Sequence, residues 1–120
     1  MQIFSLRIEK QVLSGLIKYP DIYADIEKFV NEKDFFNDVH RTIYSVIKST
    51  IDAGDRVDKV LIAEKIRNLG VSFKDEIDIY SYVDNLAFSQ IKQKAVIDSA
   101  KELLKYRIRR ELQETTQNVI

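Results

Sequence analysis

The chain has 120 residues, enough for one core and too few for a core plus a second folded unit. Its 19 Lys and Arg balance 19 Asp and Glu, so no global field draws it to nucleic acid or to an anionic membrane. The lack of cysteine excludes disulfides and thiolate metal sites and fits a reducing cytoplasm. Residues 1–8 hold no apolar run long enough for a signal peptide. Nowhere do about 18 apolar residues run together, so no membrane association is expected and a cytoplasmic location is. The charges are nevertheless unevenly placed: residues 1–88 carry 12 Lys and Arg against 15 Asp and Glu, and residues 89–120 carry 7 against 4, an acidic body with a basic tail. Three glycines and one proline, none after Gly70, leave a long stretch without a strong breaker and favour helix.

Residues 4–18 set Ile8, Val12, Leu13, Leu16 and Ile17 on one stripe with Arg7, Lys10 and Lys18 off it, which predicts a half-buried helix. Gly15 lies within that stripe. A mid-helix glycine costs about 1 kcal/mol against alanine, so its expected use is close approach of another helix or of the corner at Phe35. A neutral surface glycine is the alternative. Pro20 suits the first turn of a second helix with Asp21 beside the positive end of the dipole, and Ile22, Tyr23, Ile26, Phe29 and Val30 form its buried face.

Residues 34–44, Asp-Phe-Phe-Asn-Asp-Val-His-Arg-Thr-Ile-Tyr, read as a tight corner feeding a third helix. Asn37 and Asp38 can cap it, and Val39, Ile43, Ile47 and Thr50/Ile51 recur at helical spacing. Phe35, Phe36 and His40 are the expected structural anchor: each phenyl ring can bury about 150–250 Å², and His40, one turn into the helix, can bond back to the corner. Gly54 should close the third helix in a left-handed conformation. Asp58 then caps a fourth helix through Leu61, Ile62, Ile66 and Leu69, which Gly70 stops in turn. Residues 71–74 are an extended link. Asp75 or Asp78 caps a fifth helix carrying Ile79, Tyr80, Val83 and Leu86.

Residues 90–119 read as one long helix whose less polar side holds Ala95/Val96, Ala100, Leu103/Leu104, Ile108, Leu112, Thr115/Thr116 and Val119. Thirty residues at about 1.5 Å each make roughly 45 Å, against a radius of gyration near 14 Å for a compact domain of this size. The outer half must project, and its apolar side needs a partner. Leu103, Leu104, Ile108 and Leu112 are therefore the candidates for self-association. The expected fold is all-α: a compact bundle of about five helices over residues 1–89, then a long helix over residues 90–120 that begins a projecting arm.

No residue pattern assembles an active site. A phosphate-binding loop needs Gly-x-x-x-x-Gly-Lys-Ser/Thr, which is absent from the sequence. A single histidine without cysteine offers neither a structural zinc site nor a Cys-His pair, and no glycine-flanked serine accompanies His40, which reads as structural. Catalytic, cofactor-binding and metal residues are accordingly expected to be none. Lys101, Lys105, Arg107, Arg109 and Arg110, with Tyr106 among them, form the candidate nucleic-acid contact. A solvated helix face with charge pairs such as Arg107–Glu111 is the alternative.

Four strings stand together in order: Glu9-x-x-Val12-Leu13-x-Gly15-Leu16-Ile17, Asp34-Phe35-Phe36-x-x-x-His40-Arg41-x-Ile43-Tyr44, Gly54-x-x-Val57-Asp58 and Ile66-x-x-Leu69-Gly70. In that order and spacing the chain resembles the N-terminal domain of DnaB-type replicative DNA helicases over residues 9–70, and more loosely beyond. Family members often have a glycine-rich turn where this chain has residues 71–78. The resemblance implies the collar of a hexameric, ATP-dependent helicase, non-catalytic in itself, pairing through helical arms as a dimer and as a trimer of dimers in the full-length protein. It implies docking of primase and of a helicase loader, weak or no direct DNA binding, and ATP and Mg only in a following motor domain outside this sequence. It also implies that the sequence is a fragment ending near the start of the arm's return helix. A free-standing helical adaptor, acting as a loader or inhibitor, and a small DNA-binding protein using the basic C-terminal helix are the alternatives.

Overall fold

The computed structural model describes residues 2–118. Six α-helices follow one another, and the described residues contain no strand. Helix α1 (Leu6–Lys18) starts at Ser5, whose hydroxyl accepts the amide of Ile8. It is the element around which the others pack, touching α3, α5 and α6. Val12, Leu13 and Leu16 are fully buried, as the stripe predicts.

The second predicted helix is broken. Pro20–Ile22 form a 3-10 turn, α2 covers only Tyr23–Ile26, and one more turn carries the chain to Val30. Its expected apolar face survives the break, with Ile22, Tyr23, Ile26 and Val30 buried and Phe29 half-buried. The turn stops because Asn31 starts a new one: its side chain accepts the amide of Lys33, and Asp34 accepts the amide of Asn31, a reciprocal cap over the 3-10 turn Glu32–Asp34.

Helix α3 (Asp38–Asp52) is capped by Asn37, which accepts the amide of His40. Gly54 closes it at φ +75°, and the amide of Asp55 returns to Thr50. Asp58 caps α4 (Lys59–Asn68) through the amides of Val60 and Leu61, and Gly70 ends it at φ +67°. Only Ile62, Ala63 and Ile66 of α4 are buried; Leu61 and Leu69 face outward. Residues 71–74 are an extended link, pinned where Lys74 donates its amide to Asp38. Of the two candidate caps for α5 (Ile79–Ala87), Asp78 performs the role by accepting the amides of Tyr80 and Ser81.

Helix α6 (Gln93–Asn118) starts three residues later than the apolar pattern suggests. Its first three turns are part of the core, with Val96, Ala100 and Leu103 buried and Ala95 exposed. Gly15 explains how α6 comes so close. A Cβ placed on Gly15 would stand 2.8 Å from Val96 Cβ and would meet both of its methyl groups. The glycine is thus spent on the approach of a helix rather than of the corner. The predicted Val119 and the side chain of Thr116 lie outside the described residues. The 26 residues of α6 extend about 39 Å at 1.5 Å each, most of the 48 Å length of the molecule.

Candidate functional site

Two neighbouring arrangements carry the residues singled out above: a buried polar chain beneath the corner, and the outer half of α6 that crosses over it. The chain begins at Glu9 on α1, whose carboxylate is buried. It accepts the amide of Phe36 at 3.0 Å and that of Asn37 at 3.3 Å, both from the corner, and stands 2.8 Å from His40 Nδ1. His40 Nε2 lies 2.6 Å from the hydroxyl of Tyr82 on α5. A carboxylate that already accepts two amides can only accept again, so Nδ1 carries its proton toward Glu9; in the neutral imidazole Nε2 accepts from Tyr82. Burial, then the negative charge of Glu9, push the Tyr82 phenol up from its ordinary value. His40 therefore ties α1, α3 and α5 together. With no exposed surface it has no access to a substrate, and its partner is a carboxylate from α1 rather than the corner backbone.

The two phenylalanines of the corner part company. Phe35 is buried against Tyr44, with ring centroids 5.0 Å apart, and Tyr44 in turn donates to the carbonyl of Val30. Burial drives the Tyr44 phenol far above its usual range. Phe36, expected to be buried as well, is 46% exposed. It serves as a stacking plate instead: Phe4 lies on it at 4.2 Å and 9°, and the guanidinium of Arg110 stands 5.8 Å from its centroid.

Arg107 and Arg110, two of the five candidates for nucleic-acid contact, are engaged within the chain. They continue the stripe Val96, Ala100, Leu103 at alternating steps of four and three, so they face the head. Arg107 Nε sits 2.9 Å from the fully buried carboxylate of Asp34, a charge contact with the N–H off the line to the oxygen. Burial raises the Asp34 carboxyl above the usual aspartate range, although the amide of Asn31 and the charges of Arg107 and Arg110 pull the other way. Arg110 donates to the carbonyls of Ile3 at 2.8 Å, Lys33 at 3.0 Å and Asp34 at 3.1 Å. Together they latch α6 onto the corner and onto the N-terminal segment.

That leaves Lys101, Lys105 and Arg109 on an outward stripe, with Lys105 paired to Glu102 at 2.9 Å and Arg109 4.9 Å from the ring of Tyr106. The four leucine and isoleucine candidates divide in the same way. Leu103 is 1% exposed and belongs to the core, whereas Leu104 is half-buried and Ile108 and Leu112 are 45% and 62% exposed. Leu104, Ile108 and Leu112, four residues apart, form an apolar ladder along the outer side of α6. The stripe that carries Arg107 and Arg110 was readable in the sequence. Glu9 and Tyr82, 31 residues before and 42 after His40, had no local signal. Among the described residues no group of three or more His, Cys, Asp or Glu is placed to hold a metal ion, and no helix is long and apolar enough to cross a membrane.

A model of the DnaB-like helicase N terminal domain matches residues 1–105. The chain belongs to that family. Among solved structures, it superposes on the crystal structure of the N-terminal domain of DnaB helicase from Mycobacterium tuberculosis with a TM-score of 0.88, over 99% of this chain and 84% of that one. At 22% identity this likeness establishes a shared fold. No curated protein matches. As a member of the DnaB N-terminal family, the chain has the all-helical architecture that the four strings implied, with the strings themselves divided among α1, the corner, the α3–α4 turn and the end of α4.

Proposed function

We propose that this domain is the N-terminal collar of a hexameric, ATP-dependent replicative DNA helicase, and that it self-associates through the ladder Leu104, Ile108 and Leu112 while offering primase or a helicase loader a docking surface. The observation that carries this reading is the division of α6. One of its stripes is committed to the head through Val96, Ala100, Leu103, Arg107 and Arg110, and a second stripe sets Ile108 and Leu112 at 45% and 62% exposure. An amphipathic helix exposing such a stripe buries it against another element, and a second copy brings the same stripe. Family membership supports the helicase setting. In this reading the domain is non-catalytic, acts in the cytoplasm as a dimer or, within the full-length protein, a trimer of dimers, and leaves ATP, Mg and strand separation to a motor domain.

Ile108→Asp combined with Leu112→Asp tests it. Both side chains are exposed, so the variant keeps the native circular dichroism spectrum. Light scattering is expected to give the mass of one chain at concentrations where the parent protein forms dimers. A parent that stays monomeric, or a variant that dimerises equally, overturns self-association through this ladder. The DNA-binding alternative retains three outward cations, Lys101, Lys105 and Arg109, since Arg107 and Arg110 are spent on the latch. Salt-sensitive DNA binding lost on reversing those three charges would replace the collar reading with the DNA-binding one.

A further inference from the structure

We propose that the groove between α1 and α5 is a docking site for an acidic helical segment of a partner protein. The groove encloses about 470 Å³. One wall is the stripe Arg7, Lys10, Gln11 and Ser14 of α1, and the other is Tyr82, Asn85, Leu86 and Ser89, along α5 and the turn that follows it. Both walls repeat the same steps of three, one and three residues, so two parallel rows of side chains run about 10 Å with a trough between them. A third helix can lay one of its own ridges into such a trough.

The chemistry of the walls selects the occupant. None of the eight lining side chains is a carboxylate, and two are cations on exposed α1 positions one turn apart. Two acidic side chains three or four residues apart on a partner helix would meet Arg7 and Lys10 together. Asn85 and Ser89 can bond its remaining polar groups, over a floor formed by the buried Ser14 and Leu86. The walls are also already fixed, which lowers the ordering cost of binding. Tyr82 is held by His40 at 2.6 Å, Gln11 by Ser99 at 2.7 Å, and the carbonyl of Ser89 by Lys18 at 2.8 Å.

A nucleic-acid strand fits less well. Lys10 stands over one face of the Tyr82 ring at 5.8 Å and the hydroxyl is engaged with His40, so the single aromatic of the groove is already partnered where a base would stack. None of Leu104, Ile108 and Leu112 lines the groove, so docking there and self-association are separable.

The test is a titration of isotopically labelled protein, followed by NMR, with a helical peptide of about 16 residues. The peptide carries glutamates three and four apart beside a leucine stripe, and its counterpart has lysine for every glutamate. The acidic peptide is expected to shift the amides of Arg7, Lys10, Ser14, Asn85 and Ser89, and the lysine peptide is not. Arg7→Glu with Lys10→Glu, both exposed, should weaken the interaction about tenfold or more, and Arg7→Lys should retain it. No binding, shifts that cluster elsewhere, or undiminished binding by the charge-reversed variant overturns the proposal, as does an oligothymidylate strand producing the same shifts. The Ile108→Asp, Leu112→Asp variant gives the same titration if the groove acts alone, so a failed collar assignment is distinguishable from a failed groove.

Discussion

Replacing Gly15 by alanine sets two known effects against each other at one position. On helix propensity alone the change should stabilise α1 by about 1 kcal/mol. The new methyl, however, would lie 2.8 Å from Val96 Cβ, where carbon atoms in contact normally stand about 3.5–4.0 Å apart. Rotating Val96 gives no relief, because its Cβ is part of the clash and its branched χ1 is stiff. Helices α1 and α6 must therefore separate by on the order of 1 Å, which forfeits a quarter or more of each dispersion contact across their seam. Overpacking costs about 1–3 kcal/mol, and a clash that includes a Cβ on each helix belongs in the upper part of that range, about 2–3 kcal/mol, leaving a net loss of about 1–2 kcal/mol after the propensity gain. For a domain of this size that lowers Tm by about 4–8 °C, readable by circular dichroism or calorimetry. Val96→Ala alone should cost about 2–3 kcal/mol for its lost methyl groups and the space they leave. Adding Gly15→Ala to it should cost less than in the parent, because the two methyl groups nearest the new Cβ are gone and only the contact with the residue-96 Cβ at 2.8 Å remains, a coupling of about 1 kcal/mol. A rise in Tm for Gly15→Ala, or strictly additive losses in the pair, would refute the close-approach account of this glycine.

Glu9→Gln places an NH₂ among three donors, so it should destabilise the domain by about 2–3 kcal/mol in urea unfolding; an effect below about 0.5 kcal/mol would mean the amides of Phe36 and Asn37 find other acceptors. Tyr82→Phe, which leaves His40 Nε2 without its partner, should cost about 1–2 kcal/mol and alter the His40 ring resonances in NMR, and unchanged resonances would count against the tether. The two perturbed aspartates predict opposite pH dependences. Burial raises Asp34 in the folded chain, so its contribution is fullest below the ordinary aspartate pKa and declines as pH rises through the raised value. Asp38 is held below its ordinary value first by the amide of Lys74, so its contribution is present above the ordinary pKa and is lost as pH falls through the lowered one. Asp34→Asn should flatten the stability profile just above the usual carboxylate range, and Asp38→Asn should flatten it below. Parallel profiles for both variants and the parent would contradict the assignment.

Local chemistry made most of the helix boundaries legible. Asn37, Asp58 and Asp78 cap the helices they precede, and Gly54 and Gly70 take the positive φ that ends a helix. These signals need only a few neighbouring residues to act. Gly15 announced a close approach but could not say whose, because Val96 is 81 positions away in the chain. The polar chain from Glu9 through His40 to Tyr82 was invisible for the same reason, since a buried carboxylate looks like any surface glutamate until the fold closes over it. Arg107 and Arg110 misled differently. A run of cations suggests a solvated or DNA-facing side, yet their positions on the stripe of Val96, Ala100 and Leu103 put them over a buried carboxylate. Phe36 shows that an aromatic in a corner need not be an anchor: its neighbour Phe35 took the core position, and the side chain on the opposite face of an extended segment was left outside.

The latch also decides how the domain would bear mechanical load. Arg107 on Asp34, Arg110 on three carbonyls and the seating of Val96 on Gly15 are spaced along one helix. A pull along the axis of α6 strains all three in parallel, as shear strains a row of rivets, so they must yield together. A sideways pull at the tip peels them one at a time, beginning with Arg110, whose release would also free the carbonyl of Ile3. The domain should accordingly be stiff against tension along α6 and compliant against bending of that helix, and the first place to give under a bending load should be the junction between the N-terminal segment and the corner.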